Sequence, residues 1–307
     1  MEIVKTGIFF LACCALCGSA EAQQASSLQQ PLLTGYIAAA GASTSVSWSV
    51  AGNSAGTSPN IMSELKWNHL KAAGAFVAVR LQPVRRWFAV VEYSRAGIFS
   101  GSATDHDYQE DDRQYPSYAG YFNAGKGHLQ SFSSSLGRVI YRSAKSAYQV
   151  RAGYTSLQQQ QYLLPADRFT PGDLHAYYRC SWQGIFLKVA ATRQLWARTS
   201  LQPALAYHQL WYRAVADWNL IPSFQHPLSF RHTAQGFALQ PSLGISRQLN
   251  KSAAVLLELV YDYRVTGHGK EALYLSTGET AVTRLNQAMC SSWTLRLGIP
   301  FCIVRFR

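Results

Sequence analysis

The sequence has few acidic side chains, and beyond its first residues it lacks any long apolar run. It contains 16 aspartates and glutamates against 28 lysines and arginines, which gives a formal charge of +12. The basic residues recur singly rather than in clusters, a distribution that argues against a nucleic-acid partner and suits anionic lipid better. No apolar run of about 18 residues follows residue 22, so a transmembrane helix is excluded.

Cysteine usage and sequence motifs exclude several further classes of protein. Three of the six cysteines, Cys180, Cys290 and Cys302, lie beyond residue 22, and their odd number and wide spacing indicate neither a disulfide framework nor a metal site. We interpret them as small packing residues. The glycine-rich nucleotide loops, the serine-hydrolase elbow and the zinc-protease motif are absent too. The sequence therefore predicts no metal and no bound cofactor.

The first 22 residues have the composition of a secretory signal. Lys5 precedes an apolar stretch from Ile8 to Leu16, and Ala20-Glu21-Ala22 forms a small-x-small cleavage site. We predict a signal peptide over residues 1–22 and a single mature domain over residues 23–307.

Apolar and polar residues alternate along most of the chain, which is the period of a β-strand with two different faces. Between residues 253 and 265 every second residue is apolar, and the opposite phase carries Glu258, Asp262 and Arg264. Other runs contain the apolar sets Trp87, Val91 and Tyr93; Tyr148, Val150 and Tyr154; Tyr178, Cys180, Trp182 and Phe186; Leu205, Tyr207 and Trp211; Leu239, Leu243 and Ile245; and Trp293, Leu295 and Leu297. One apolar face with aromatic rims and one polar face is typical of a lipid-embedded barrel.

The connections between these runs alternate in length. Short ones lie near residues 82–86, 143–145, 194–198 and 248–251, and long polar ones near 50–61, 98–118, 157–176, 213–234 and 266–289. This alternation predicts an all-β fold, a single antiparallel transmembrane β-barrel of about ten strands in a bacterial outer membrane. We expect long extracellular loops, short periplasmic turns and both termini at the short-turn side.

Acidic residues cluster at one place in this basic chain, between Asp105 and Asp112. One interpretation is a solvated acidic loop or a calcium site, because carboxylate oxygens are hard ligands. The other is an aspartate pair whose like charges raise one pKa and create a usable base. Spacing alone leaves both open.

Four segments resemble the omptin family of outer-membrane proteases, ten-stranded barrels with an active site between the extracellular loops. The similar segments are Ser63-Glu64-Leu65-Lys66-Trp67, Ala103-Thr104-Asp105-His106-Asp107-Tyr108, Ala152-Gly153-Tyr154 and Asp217-Trp218-Asn219. The resemblance implies an endopeptidase that holds an attacking water between Asp105 and Asp107 on one side and Asp217 and Asn219 on the other. It also implies a monomer that acts on peptide or protein at the cell surface, with lipopolysaccharide as lipid partner and activator.

The chain departs from the omptin pattern where that family has the histidine of its second dyad. Asn219 stands there, and an amide cannot take up a proton near neutral pH. His106, His226 and His232 are the residues that we consider as replacements, and Arg179 and Lys188 as contacts for lipopolysaccharide. Two alternatives remain: a catalytically inactive barrel that acts as an adhesin or surface binder, and a narrow channel or purely structural barrel.

Overall fold

The computed structural model of the protein describes residues 31–166, 172–250 and 253–305; the predicted signal peptide lies outside them. No helix in these ranges is long and apolar enough to cross a membrane. The described chain forms the strands β1 (Pro31–Val50), β2 (Ser63–Val84), β3 (Trp87–Glu110), β4 (Gln114–Asn123), β5 (Gly127–Arg142), β6 (Ser146–Tyr162), β7 (Tyr177–Trp196), β8 (Thr199–Asp217), β9 (Phe230–Gln248), β10 (Ala254–Thr266), β11 (Gly269–Tyr274) and β12 (Thr280–Arg305).

Ten of these strands close into a barrel. Each pairs antiparallel with its neighbours in the order β1-β2-β3-β5-β6-β7-β8-β9-β10-β12, and β12 pairs with β1 to close the ring. The short β4 pairs with β3, and β11 lies between β9 and β12 beyond the end of β10. The all-β barrel fold and the ten-strand ring are therefore confirmed.

One end of the barrel has short turns and the other has long connections. Pro31 pairs with Arg305, so the first and last described strands meet at the short-turn end. The opposite end, called the loop end below, carries residues 51–62, 163–166, 172–176 and 218–229 together with β4 and β11. This arrangement is the alternation expected from the sequence.

The loops at this end are shorter than the sequence suggests. Residues 98–118 and 266–289 were expected to be long loops, but most of them extend β3 and β12 or form β4 and β11. Those loop bounds are wrong because β-ladders continue through both segments: Ala103 pairs with Trp67 and Phe122, and Thr283 pairs with Glu271.

Large apolar side chains are exposed in a band around the outside, as a lipid-facing surface requires. They include Val79, Val91, Leu136, Ile185, Leu187, Leu205, Leu243, Leu257, Leu295 and Leu297, with Trp87, Tyr93, Trp211 and Trp293 among the exposed aromatics. The predicted outward phase is wrong for one strand. In β7 the set Tyr178, Cys180, Trp182 and Phe186 is buried inside the barrel, and Ile185 faces outward.

The interior differs between the two ends of the barrel. Toward the loop end it is filled by buried side chains, here called the upper core: Val46, Trp48, Leu65, Trp67, Tyr178, Trp182, Leu210, Tyr212, Trp218, Phe230 and Leu285. The rings of Trp67 and Tyr178 stack with centroids 5.4 Å apart, and Trp48 packs against Phe230 at 5.6 Å. The more apolar phase of β7 changes along the strand, from Tyr178 and Trp182 near the loop end to Ile185 and Leu187 farther along, so periodicity alone could not assign its outer face. Toward the short-turn end the interior is charged.

Candidate functional site

Asp105 and Asp107 lie within β3 rather than in a loop, two residues apart and therefore on one face of the strand. Both lie beyond Phe99, the last large lipid-exposed apolar side chain of β3. Asp105 pairs with Leu65, which is fully buried, so this face points into the barrel. The aspartate pair therefore borders the upper core.

Asp105 is an isolated carboxyl in an apolar setting. Its side chain is only 5 % exposed, and its Oδ1 accepts no hydrogen bond from the described protein atoms. Burial, and secondarily the charge of Asp107, raises the pKa of Asp105 to about 8. Burial also raises the pKa of Asp107, against the opposing effects of Ser63 and His106. Asp105 thus holds a proton at neutral pH.

Asp217 is the last residue of β8, and its position in the alternation puts it on the outer face of the wall. Ala214 and Ala216 are buried inside the barrel, whereas Trp211 and Arg213, on the phase of Asp217, are exposed. His226, from the loop that follows β8, lies with its Nδ1 2.6 Å from Asp217 Oδ1. Asp217 and His226 therefore form an Asp–His pair of the kind that orients an imidazole.

Asn219 links two loops. Its Nδ2 donates to the carbonyl oxygen of Asp173 at 3.1 Å, and its Oδ1 accepts from the backbone N–H of His175 at 3.2 Å. Its Nδ2 also lies 3.1 Å from the His175 Nδ1. These bonds engage both ends of the amide with the protein, so Asn219 ties the loop after β8 to the segment before β7.

The structure brings Asp105 and Asp107 together, and it gives Asp217 and Asn219 separate surroundings. The first pair points inward and Asp217 points outward. The upper core occupies the interior between β3 and β8, with Trp48 packed against Trp218 at a centroid distance of 6.4 Å. The four predicted site residues therefore do not line one open groove in this structure.

The three histidines considered as replacements have different roles. His226 is the one that contacts a predicted site residue. His232 is fully buried, with Nδ1 2.8 Å from the Tyr178 hydroxyl and Nε2 2.6 Å from Glu271. His106 follows Asp105 on the opposite face of β3 and stacks on Tyr108. His226 could be named from the sequence as a candidate, but the loop conformation that places it beside Asp217 could not be predicted.

Asp111 and Asp112, two of the remaining acids of the cluster, fix the tip of the β3–β4 hairpin. Asp111 accepts a hydrogen bond from the Asn60 N–H at 2.6 Å, and Asp112 accepts one from the Asn60 side chain at 2.8 Å. Glu64 on β2 pairs with Arg113 at 2.8 Å. Nowhere in the described ranges do three or more histidine, cysteine or acidic side chains gather as metal ligands. These acids join the hairpin to the β1–β2 connection.

An exposed strand edge is the feature that the sequence prediction missed. β4 pairs with β3, and on its other side Asn123 makes one bridge to Leu164; beyond that bridge no described residue pairs with this edge. Tyr115 and Tyr121 are 65 % and 66 % exposed. The uncharged segment QYPSYAGYFN, with its four aromatic residues, is typical of a strand, but it lay partly within a segment that was predicted to be a loop.

The two residues considered for lipopolysaccharide differ in orientation. Arg179 is exposed on the outer face of β7 near the loop end. Lys188 has the opposite phase and lines the internal cavities of the barrel. It cannot contact outer-leaflet lipid, so that assignment of Lys188 is wrong, because β7 carries its polar residues on the inner phase at this level.

Comparison with known proteins shows the family and the fold of the chain. The family model described as Pom, Protochlamydia outer membrane protein, matches residues 42–303. The outer membrane protease OmpT from Escherichia coli aligns with a TM-score of 0.67 at 10 % identity, over 89 % of this chain and 96 % of that one. The translocator domain of autotransporter NalP from Neisseria meningitidis aligns with a TM-score of 0.42 at 11 % identity, over 91 % and 90 % of the two chains. No curated protein matches the sequence.

Likeness to OmpT at this identity shows a common fold and does not carry the protease activity, so the omptin assignment stays a prediction. The family match covers most of the chain and all twelve strands in whole or in part. The chain belongs to the Protochlamydia outer membrane protein family, and it is a bacterial outer-membrane β-barrel.

Proposed function

We propose that this barrel is a surface binder that captures an extended peptide segment by adding it to the outer edge of β4. The proposal rests on the outer edge of β4. This edge lies at the loop end, on a hairpin that Asp111, Asp112 and Arg113 hold in place. Unpaired strand edges bind extended peptides through main-chain hydrogen bonds, with side-chain contacts supplying selectivity. We place the loop end outside the cell.

The hydrogen-bonding direction of the edge follows from one bridge. Asn123 both donates to and accepts from Leu164, so its N–H and C=O point away from β3. Because this orientation recurs at every second residue, Ala119 and Tyr121 present their N–H and C=O on the same side. Tyr121 adds an exposed ring beside these groups, a contact surface of low conformational-entropy cost.

The packed interior supports a binder over a channel. An open channel needs a continuous aqueous path, but the upper core fills the barrel between Trp48, Trp67 and Tyr178 with ring-to-ring contacts. The same packing gives the hairpin a rigid base, which lowers the ordering cost on binding.

The test is substitution at the edge itself. Ala119→Pro removes one outward N–H and leaves the β3 ladder intact, because proline is tolerated where the N–H faces away from the partner strand. The folded barrel, displayed in detergent, would be panned against a library of eight-residue peptides, and enriched peptides titrated by fluorescence anisotropy. We expect at least tenfold weaker binding by Ala119→Pro and unchanged binding by the control Ala119→Val, which keeps the N–H. Failure to enrich any peptide, or equal binding by the proline variant, would refute the proposal.

A second candidate is the omptin-like endopeptidase, favoured by the Asp217–His226 contact of 2.6 Å. In this proposal His226 supplies the imidazole that Asn219 cannot, and the loops would have to rearrange so that Asp105 and Asp107 reach the same water. The barrel refolded with lipopolysaccharide would be offered a mixed peptide library. Cleavage should disappear in Asp105→Ala, Asp217→Ala and His226→Ala. Cleavage that persists in the two aspartate variants would exclude this site, and Asn219→His provides the gain-of-function arm.

A further inference from the structure

The barrel interior between the upper core and the short-turn end is lined by charged side chains. Three ion pairs lie along its wall: Arg151 with Glu92 at 2.8 Å, Arg264 with Asp262 at 2.8 Å, and Arg296 with Glu258 at 3.0 Å. Each pair joins side chains whose charges cancel locally. Paired charges of this kind are tolerated inside proteins because neither partner is left alone.

Among the described residues of this wall, two further inward-facing cations, Arg80 and Lys188, form no ion pair. Arg80 donates to the side-chain oxygens of Gln149 at 2.8 Å and Gln82 at 3.0 Å, and its guanidinium lies 3.6 Å from the Phe88 ring centroid. Lys188 takes part in none of the ion pairs; it lies near Glu92 and Glu258, but each of these carboxylates is already paired with an arginine. The interior therefore holds more positive than negative charge.

Both cations line the same cavity. Its volume is about 200 Å³, and its walls also include Glu92, Gln149 and Arg151. A second cavity of about 150 Å³ adjoins it through Lys188 and Arg151 and extends toward the upper core. A water molecule occupies roughly 30 Å³ in the liquid, so the first cavity has room for a small anion and several waters.

We infer that this cavity binds a small inorganic oxyanion of the sulfate or phosphate type, held between Arg80 and Lys188. Buried cations that outnumber the carboxylates around them are costly unless a further counter-charge accompanies them. The guanidinium has five N–H donors in a planar fork that matches an oxyanion, and the lysine ammonium adds a point charge. Arg80 uses two donors on the glutamines and retains others.

The side chains that line the cavity restrict which class of ligand it can bind. The neighbouring acids Glu92 and Glu258 already accept from arginine, and they exclude large polyanions by repulsion and by space. The apolar wall of Phe88, Val90 and Ala190 offers nothing to a sugar or nucleotide. A compact anion that arrives from the short-turn end fits both constraints. The inference does not depend on the peptide-binding proposal.

The experiment measures sulfate bound to the folded full-length mature barrel. Protein in a low-chloride, uncharged detergent buffer would be dialysed to equilibrium against radiolabelled sulfate, with the folded fraction verified by gel mobility before and after heating. We expect about one sulfate per barrel, displaced by inorganic phosphate. Lys188→Gln and Arg80→Gln should each weaken binding at least tenfold, whereas Lys188→Arg should retain it.

The matched control is Lys145→Gln, which removes the same charge from the exposed turn between β5 and β6 and should leave binding unchanged. Lys188→Met replaces the glutamine variant if that variant does not fold. Wild-type binding no greater than that of heat-unfolded protein would overturn the inference. Equal loss in Lys145→Gln, or full binding by both folded glutamine variants, would overturn the location.

Discussion

Replacing Asp105 by asparagine should remove a pH dependence of stability that the buried carboxyl creates. The folded barrel raises the pKa of Asp105 from an ordinary value of 3.8 to about 8, mainly through burial. Between these values the folded state keeps a proton that the unfolded chain releases. The free energy of unfolding must therefore fall as pH rises through this window.

The magnitude follows from the width of the window. Each unit of pKa difference is worth about 1.4 kcal/mol, so the free energy of unfolding should fall by roughly 4 kcal/mol between pH 5 and pH 8. Asparagine is neutral at both pH values and close in shape to the protonated acid. Asp105→Asn should therefore match the wild type at pH 5 and exceed its stability at pH 8.

The assay is urea unfolding of the barrel in lipid vesicles, followed by tryptophan fluorescence at pH 5, 6.5 and 8. Asp107→Asn is the matched control, because Asp107 lies on the same face of β3 but is less buried, so its effect should be smaller. A difference between wild type and Asp105→Asn that stays constant across the three pH values would refute the assignment of a buried, protonated Asp105.

Three further predictions concern packing and the hairpin. Trp48→Ala should lower the free energy of unfolding by about 3–5 kcal/mol, because it leaves a cavity in the upper core, and urea titration measures this; a loss below 1 kcal/mol would mean that the core is loosely packed. Gly74→Ala should reduce the yield of heat-modifiable folded barrel, since a Cβ there would lie 1.9 Å from the carbonyl oxygen of Arg95, whereas Gly97→Ala, with open space around it, should fold normally. Glu64→Gln should speed hydrogen exchange in the hairpin tip at pH 7, where the ionised Glu64 pairs with Arg113. The hydrogen bonds from Arg113 and Lys66 lower the pKa of Glu64 despite its burial, so the difference in exchange rate between Glu64→Gln and wild type should disappear as pH falls through that lowered pKa. Equal exchange rates of the two proteins at pH 7 would contradict this prediction.

The fold could be predicted from the sequence because a barrel wall has a simple signature. Alternation identified the outward phases of the strands that contain Val91, Tyr207 and Leu295, and the short connections gave the ring of ten. β7 was the exception. Near Tyr178 the apolar residues of β7 face the upper core, whereas near Ile185 the apolar residues of the opposite phase face lipid. The alternation therefore does not say which phase of β7 faces outward.

The site could be predicted only in part. The spacing of Asp105 and Asp107 identified them as a pair, but they were expected in a loop; that they lie on β3 and share its inner face is known only from the structure. Whether that face meets Asp217 depends on where β8 ends and on how far the interior is filled. His226 reaches Asp217 through a loop conformation, and Asn219 is held by backbone groups near His175. Neither contact can be predicted from the local sequence.

The pairing of β1 with β12 has a consequence for how the barrel forms. Contacts such as that between Thr44 and Ser292 join residues 248 positions apart, so the ring cannot close until nearly the whole chain is present. Pairings of such high sequence separation are slow to form, because the intervening chain loses its conformational freedom first. Until closure, both end strands expose unpaired edges that invite association with other chains. We therefore expect the newly made chain to depend on assistance in the interval before its last strand meets its first.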